Sequence, residues 1–257
     1  ITGNYLEIND FSAEPQIYKT NKLRETSIRF FNHAYLNIKG ENFSFSTDPW
    51  AIGPAFNSGW WLKNKTKKDW ISELNQSDFI YISHNHPDHL HPLTLSKLNT
   101  KIPIVVPNFI TKSTEKYIDE LGFENIQTLE FNQLYNLNET DLYLSILKSG
   151  DFREDSGIYF SNGKFTGLLS VDSNMINFEK LPKVDFYGSA FAGGASGYPL
   201  MFDNYTKDQK IEICKRSKNF VKKKKFDHLV NIKPKFFMPY AGFFQEKLIR
   251  DKEVFDN

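Results

Sequence analysis

Between residues 27 and 46, apolar and polar positions alternate with a period near two. The runs 27–31, 35–38 and 43–46 are rich in β-formers and are separated by turn residues such as Lys39-Gly40-Glu41-Asn42. This spacing predicts a β-meander. The alternation stops at 48–68, which carries two prolines, two glycines and Trp50, Trp60 and Trp61, and all four tryptophans fall between Trp50 and Trp70. The stretch reads as a long aromatic loop. It is either a flap over a core edge or a wall of a ligand pocket, since pockets favour rigid aromatic linings.

Beyond the loop the period lengthens. Residues 69–74 fit a short helix, and 79–82 form a continuous apolar strand of the kind buried on both faces. A helix over 92–98 with proline in its first turn, a strand at 104–106 and a helix over 111–121 ended by Gly122 continue an α/β alternation. Residues 141–147, 157–160 and 165–169 return to short strands, with Asn162-Gly163 as a hairpin turn between the last two. A strand at 184–187, a long helix over 206–225 and a strand at 235–238 complete the order β-rich, α/β, β-rich, α/β. No low-complexity linker and no fixed-period repeat interrupts it. One four-layered domain over 1–257 is the economical expectation, with the polar, weakly periodic 1–26 as a peripheral N-terminal extension.

Composition narrows the function classes. The chain has 257 residues, 40% hydrophobic and 25% charged, which is ordinary for a globular protein and excludes a collagen-like or disordered chain. A formal net charge of +1 gives no global field for nucleic acid or an anionic membrane. No apolar stretch approaches the roughly 20 residues of a membrane span, and no basic-then-apolar leader opens the chain, so a cytoplasmic location is expected. The chain begins at Ile1 rather than Met, which leaves room for a preceding segment. With Cys214 as the single cysteine, this chain alone makes no disulfide, zinc ribbon or cysteine-ligated iron–sulfur cluster. Cys214 reads as a small buried hydrophobe, and Lys222 to Lys225 as the solvated, cationic end of the long helix.

The chemistry concentrates directly after the apolar strand, in Ser83-His84-Asn85-His86-Pro87-Asp88-His89. Three of the six histidines fall within six residues, with Asp88 in register. A tight turn at a strand's C-terminal end can aim such side chains into one crevice, where imidazoles and carboxylates bind transition metals. This His-x-His-x-Asp-His pattern resembles the signature of the metallo-β-lactamase superfamily. The resemblance implies an α/β fold, a four-layer αββα sandwich with its metal site at one edge of two facing sheets. It does not choose a reaction, because the superfamily includes hydrolases, lactonases, phosphodiesterases and redox enzymes.

Five separated segments resemble more closely the catalytic region of the CMP-N-acetylneuraminate hydroxylase family. They are Phe31-Asn32-His33-Ala34, the stretch from Asp48-Pro49-Trp50 to Gly59-Trp60-Trp61-Leu62, Ile80-Tyr81-Ile82-Ser83-His84, Phe191-Ala192-Gly193-Gly194-Ala195-Ser196-Gly197-Tyr198-Pro199, and Pro239-Tyr240-Ala241-Gly242-Phe243-Phe244. The resemblance implies oxygen insertion into the N-acetyl group of a nucleotide-linked sugar, with a Rieske domain as electron source. A Rieske centre needs two cysteines and two histidines, so electrons would come from a trimmed segment or a separate protein.

The same resemblance implies further ligands. His84, His86, Asp88 and His89 would be joined by a residue of 150–155, where no histidine occurs; Asp151 is the candidate and Asp155 the fallback. Asp172, after Leu169-Ser170-Val171, fits the bridging carboxylate, with a turn-capping role as its alternative. The superfamily's last histidine has no counterpart after Phe244, where the chain reads Gln245-Glu246-Lys247-Leu248. His228 is expected at the surface or a helix end, His91 at the site or a helix start, and His33 either in the pocket, with Asp88 as a catalytic residue, or in a structural hydrogen bond.

Three histidines and three aspartates without a thiolate suit one or two ions, iron or manganese at least as well as zinc. Trp60, Trp61, Phe191, Gly193, Gly194, Ser196 and Tyr240 are the expected substrate contacts. The leading expectation is an iron-dependent monooxygenase acting on an N-acyl or amino sugar, free or nucleotide-linked. Its alternatives are a hydrolase of a phosphodiester, lactone or amide using metal-bound hydroxide and a non-catalytic sugar-binding relic.

Overall fold

The computed structural model describes residues 17–19, 26–137, 139–191, 198–200 and 202–246. Its first sheet has seven strands. β1 (Ile17–Lys19), β2 (Ser27–Asn32), β3 (Tyr35–Lys39) and β4 (Ser44–Thr47) pair antiparallel in sequence order. Two short strands, β5 (Pro54–Ala55) and β6 (Trp60–Leu62), stand apart from this sheet. The chain then returns through α1 (Trp70–Asn75) to β7 (Phe79–Tyr81), which lies parallel to β4. α2 (Pro92–Leu95), β8 (Ile104–Pro107), α3 (Ser113–Glu120) and β9 (Ile126–Leu129) extend the parallel half.

The second sheet repeats the plan. β10 (Tyr135–Asn136), β11 (Tyr143–Lys148), β12 (Ser156–Ser161) and β13 (Thr166–Leu169) are antiparallel. β14 (Phe186–Ala190) and β15 (Phe236–Tyr240) then add in parallel, with the long helix α4 (Lys207–Ile232) between them. β16 (Phe244–Glu246) closes a three-stranded patch with β6 and β5.

The alternation along β7 shows how the layers stack. Phe79 and Tyr81 point into a core shared with Leu144, Ile158, Phe160, Leu169 and Met238 of the second sheet. Ile80 and Ile82 point the other way, against Trp70, Leu74, Leu95 and Ile118 of the first helical layer. On the far side of the second sheet, Leu168 and Tyr187 meet Leu229 and Ile232 of α4. Successive strand residues thus serve opposite faces, which is why 79–82 is apolar throughout. The result is the expected αββα order.

Local signals act as the sequence implies. Gly122, with φ +87°, follows the C-terminal turn of α3 in the left-handed region that glycine occupies without steric cost. Thr206 caps α4 in a reciprocal pair: its hydroxyl accepts from the Gln209 N–H, and its own N–H donates to the Gln209 side chain.

Three expectations need correction. The long helix runs to Ile232 rather than ending at residue 225, and so Lys225 is not part of a solvated terminus but is buried at 7% exposure. His228 is buried rather than superficial, because that extra length carries it under the second sheet, where its Nδ1 lies 2.9 Å from the Tyr187 hydroxyl. Cys214 is only half-buried. The aromatic loop after β4 is partly regular, since β5 and β6 lie within it. No helix among the described residues is long and apolar enough to cross a membrane.

Candidate metal centre

Both sheets change from antiparallel to parallel pairing midway, at β4–β7 and at β13–β14, and polar side chains collect beyond the carboxyl ends of these strands. Asp48 follows β4, Ser83 and His84 follow β7, Asp172 follows β13 and Ala241 follows β15. Crevices beyond the carboxyl ends of parallel strands are where open α/β sheets place ligands. Four non-glycine residues on this rim have left-handed backbone: His33 (φ 41°), Asp48 (φ 38°), Val171 (φ 49°) and Ala241 (φ 54°). Each such conformation costs on the order of 1–3 kcal/mol, and such strain gathers where a site needs it.

Asp48 organises the first-sheet side. Its Oδ1 accepts from the Ser83 N–H at 2.7 Å, and its Oδ2 accepts from the Ser83 hydroxyl at 2.7 Å and lies 3.0 Å from His89 Nδ1. A carboxylate only accepts, so His89 carries a proton on Nδ1, and Nε2 is the nitrogen left to face a cation. The Ser83 hydroxyl, having spent its proton on Asp48, accepts from His84 Nδ1 at 2.9 Å and leaves His84 Nε2 as a lone pair. One buried carboxylate thus sets the tautomer of both imidazoles, as outer-shell carboxylates do around bound metals.

The inward atoms fall into two groups. His84, His86 and Asp172 offer donor atoms within 4.8 Å of one another, and so do His33, Asp88 and His89. His84 Nε2 is 2.7 Å from His86 Nδ1 and 3.9 Å from Asp155 Oδ1. Asp88 Oδ2 is 2.9 Å from His33 Nε2 and 3.4 Å from His89 Nε2. Asp172 Oδ2 also lies 3.8 Å from His89 Nε2, which places its carboxylate between the groups.

These atoms fit a cation. His89 Nε2 and Asp88 Oδ1 are buried without a hydrogen-bond partner, and a lone pair facing carboxylate oxygens is unfavourable unless a positive charge stands between them. Bonds of about 2.0–2.2 Å to one ion set neighbouring donors roughly 3.0–3.4 Å apart, close to the spacings around Asp88. The protonation balance agrees. Without an ion a proton supplies that positive charge: burial alone would lower His89, yet Asp88, Asp172 and the hydrogen bond to Asp48 raise it well above the ordinary imidazole range, and a bound cation would displace the proton from Nε2. Burial would raise Asp88, and His89 and His33 instead hold it well below the carboxylate range. His84, buried beside His89 and His86, is held low and stays neutral.

The remaining expected residues divide. Asp151 joins neither group, because Arg153 takes its carboxylate at 2.6 Å. The fallback Asp155 is the carboxylate beside His84; burial and then Asp172 raise it, and the guanidinium of Arg153 stands 3.2 Å from its Oδ2. His91 starts α2, where its ring accepts from the Thr94 N–H. A cavity of about 610 Å³ opens at the groups, and its lining includes His33, Asp88, Asp172, Trp60, Phe244 and Arg216 of α4. Trp60 stacks on Phe244 at 3.8 Å. Trp61, its Nε1 donating to the Ser58 carbonyl, and Phe191, edge-on to Phe243, are not in that lining. Tyr240 is corrected: its strand position aims it into the inter-sheet core at 0% exposure, and Ala241 lines the cavity in its place. Gly193, Gly194 and Ser196 lie outside the described residues.

Two contributors went unread in the sequence. Asp48 was visible only as part of a resembling segment, although its position at a strand end before three tryptophans marked it. Lys225 reaches from α4 to Asn174 Oδ1 at 2.9 Å and so steadies the turn that carries Asp172. Burial lowers this lysine to about 8.

Residues 27–148 match the family described as beta-lactamase superfamily domain. The cytidine monophosphate-N-acetylneuraminic acid hydroxylase of Xenopus laevis is 32% identical over 255 residues, covering 96% of this chain and 43% of its own length. Its counterpart from Asterias rubens is 33% identical over 252 residues, covering 90% of this chain and 38% of its own length. The chain spans less than half the length of these curated relatives. CmlA, a diiron β-hydroxylase from Streptomyces venezuelae, shares the fold with a TM-score of 0.58 at 14% identity, over 83% of this chain and 44% of that one.

Proposed function

We propose that this chain, which matches the beta-lactamase superfamily domain over residues 27–148, is the metal-dependent oxygenase portion of a hydroxylase acting on an N-acyl or amino sugar carried by a nucleotide. The observation that carries the reading is the 32% identity to cytidine monophosphate-N-acetylneuraminic acid hydroxylase across 96% of this chain. The donor set supports it: histidines and carboxylates, with Cys214 in neither donor group, suit iron or manganese at least as well as zinc.

His84, His86 and Asp172 would hold one ion, with Asp155 beside His84 completing its shell, and Asp88 and His89 would hold a second. Bound iron would supply dioxygen activation. The overall change consumes the C–H bond, dioxygen, two electrons and two protons, and yields the C–OH group and water. The chain's own residues do the rest. Asp48 keeps both imidazoles in the donor tautomer, and Asp88 stays ionised. Asp155, which burial and Asp172 raise when no ion is bound, would be ionised once it joins that shell. Trp60 and Phe244 give the acyl group an apolar wall from which water is excluded, and Arg153 and Arg216 face the anionic part of the substrate. Electrons would come from a separate carrier or another domain of a longer protein.

The test uses iron-loaded protein, cytidine monophosphate-N-acetylneuraminate, dioxygen and a chemical reductant, with products weighed by mass spectrometry. A product heavier by one oxygen atom, formed only with reductant, is expected. Release of acetate or cytidine monophosphate without reductant would make the chain a hydrolase instead.

A further inference from the structure

We infer that His33 is itself a ligand of the second cation, supplied from the turn between β2 and β3. The inference rests on the metal reading above and deepens it. Asp88 and His89 offer two donors, and Asp172 is shared with the first group. A divalent transition ion takes four or more ligands, so beyond these three protein donors the centre has a position open to a further one. The four residues directly after β15, Ala241, Gly242, Phe243 and Phe244, hold no metal-binding side chain, and Ala241 and Phe244 line the same cavity as His33.

His33 is built to fill that place. A register shift in the β2–β3 ladder between Phe30 and Asn32 brings the chain to a turn in which His33 adopts φ 41°. The turn is held from two sides. The His33 N–H donates to the Asn32 side chain at 3.2 Å, and its carbonyl accepts from the Ala241 N–H at 2.8 Å. The second bond ties His33 to the strand exit that lacks a donor of its own.

This strained backbone sends the ring inward to 1% exposure. It packs edge-on against Trp50 at 5.2 Å, His89 at 5.5 Å and Phe244 at 5.8 Å between ring centres. Its Nε2 stands 2.9 Å from Asp88 Oδ2, and that oxygen stands 3.4 Å from His89 Nε2. Two imidazole nitrogens flanking one carboxylate oxygen at these spacings are edges of a single coordination polyhedron. The rival arrangement is a plain hydrogen bond in which His33 only steadies Asp88.

The two roles separate in the full chain by cobalt(II) titration followed by absorption spectroscopy, with ion content counted after desalting. Parent protein, His33→Ala and His33→Gln are compared. Glutamine can still hydrogen-bond Asp88 but is a poor ligand. The expected result is about two ions per chain in the parent and about one in both variants, with metal-free His33→Gln melting as the parent does. Added imidazole should restore the second ion to His33→Ala.

Two ions per chain in His33→Gln, bound within about threefold of parental affinity, would overturn the ligand role and leave the metal reading standing. A parent that holds only one ion would also overturn the ligand role, because no second centre would exist to complete. A parent that binds no ion would sink the metal reading and this inference together.

Discussion

The two sheet edges bring donors to the centre in contrasting ways. On the first-sheet side, His84 and His89 are at 1% and 0% exposure, and a single buried carboxylate, Asp48, fixes both rings through direct or one-step hydrogen bonds. On the second-sheet side, the Asp172 side chain is 26% exposed and sits on a turn steadied at its ends. The Ser170 hydroxyl bonds Ser189 and Tyr187 there, and Lys225 holds Asn174. Asp155 meanwhile is shared between His84 and Arg153. The first edge is pre-set, and the second is adjustable. A centre of this design can keep ions fixed from one side while the other accommodates a substrate.

The contrast predicts a graded response to substitution. The largest effect belongs to a direct donor: His86→Ala should remove the first ion and the turnover while the fold persists, a loss beyond the roughly 10–100-fold typical of outer-shell partners. Ion counting and circular dichroism check it, and retained metal would place the centre elsewhere. Next comes Asp48→Asn, which puts an amide N–H donor where two donors converge. We expect about 10–100-fold weaker metal binding at both ions in chelator competition, and weakening at one alone would refute a common organiser.

Lys225→Met should cost under about tenfold in metal affinity, since it acts through Asn174. Its clearer signature lies in stability. Burial lowers Lys225 from 10.5 to about 8, so between those pH values the folded chain binds fewer protons than the unfolded one and stability rises with pH. The cost of burying the ammonium is full below about pH 8, on the order of 1.4 kcal/mol per pKa unit. The parent should therefore gain stability relative to Lys225→Met from pH 8 to 10.5 in denaturant titrations, and a constant difference would contradict a buried charge. The smallest effect is assigned to Asp151→Asn, which should leave metal content unchanged because Arg153 already occupies that carboxylate.

The same contrast explains what could be read in the sequence. The motif side was legible because a single apolar strand and the six residues after it carry most of its donors, and strand-end geometry converts that local pattern directly into a site. His33 and Asp48 lie tens of residues earlier, and only the pairing of β2, β3, β4 and β7 brings them near. The second side was harder. Ser149 donates its N–H to the Asp155 carbonyl at 2.9 Å, closing a loop that turns Asp155 toward His84 and leaves Asp151 on Arg153. Nothing in the spacing of the two aspartates distinguishes those outcomes. α4 misled because its lysines read as a polar terminus, whereas Leu229 and Ile232 continue the helix against the second sheet. The residue pattern ends the last strand at residue 238, before Pro239, whereas β15 runs on to Tyr240, whose facing depends on the register of β14 with β15, which residue type alone does not fix.

The account depends on the two edges gripping ions jointly. Anomalous diffraction at the iron edge, from crystals of anaerobically iron-loaded protein, tests this most directly. Two peaks are expected, one among His84, His86 and Asp172 and the other beside Asp88 and His89. A map with no peak there, or with its signal at the Asp151–Arg153 pair, would contradict the account.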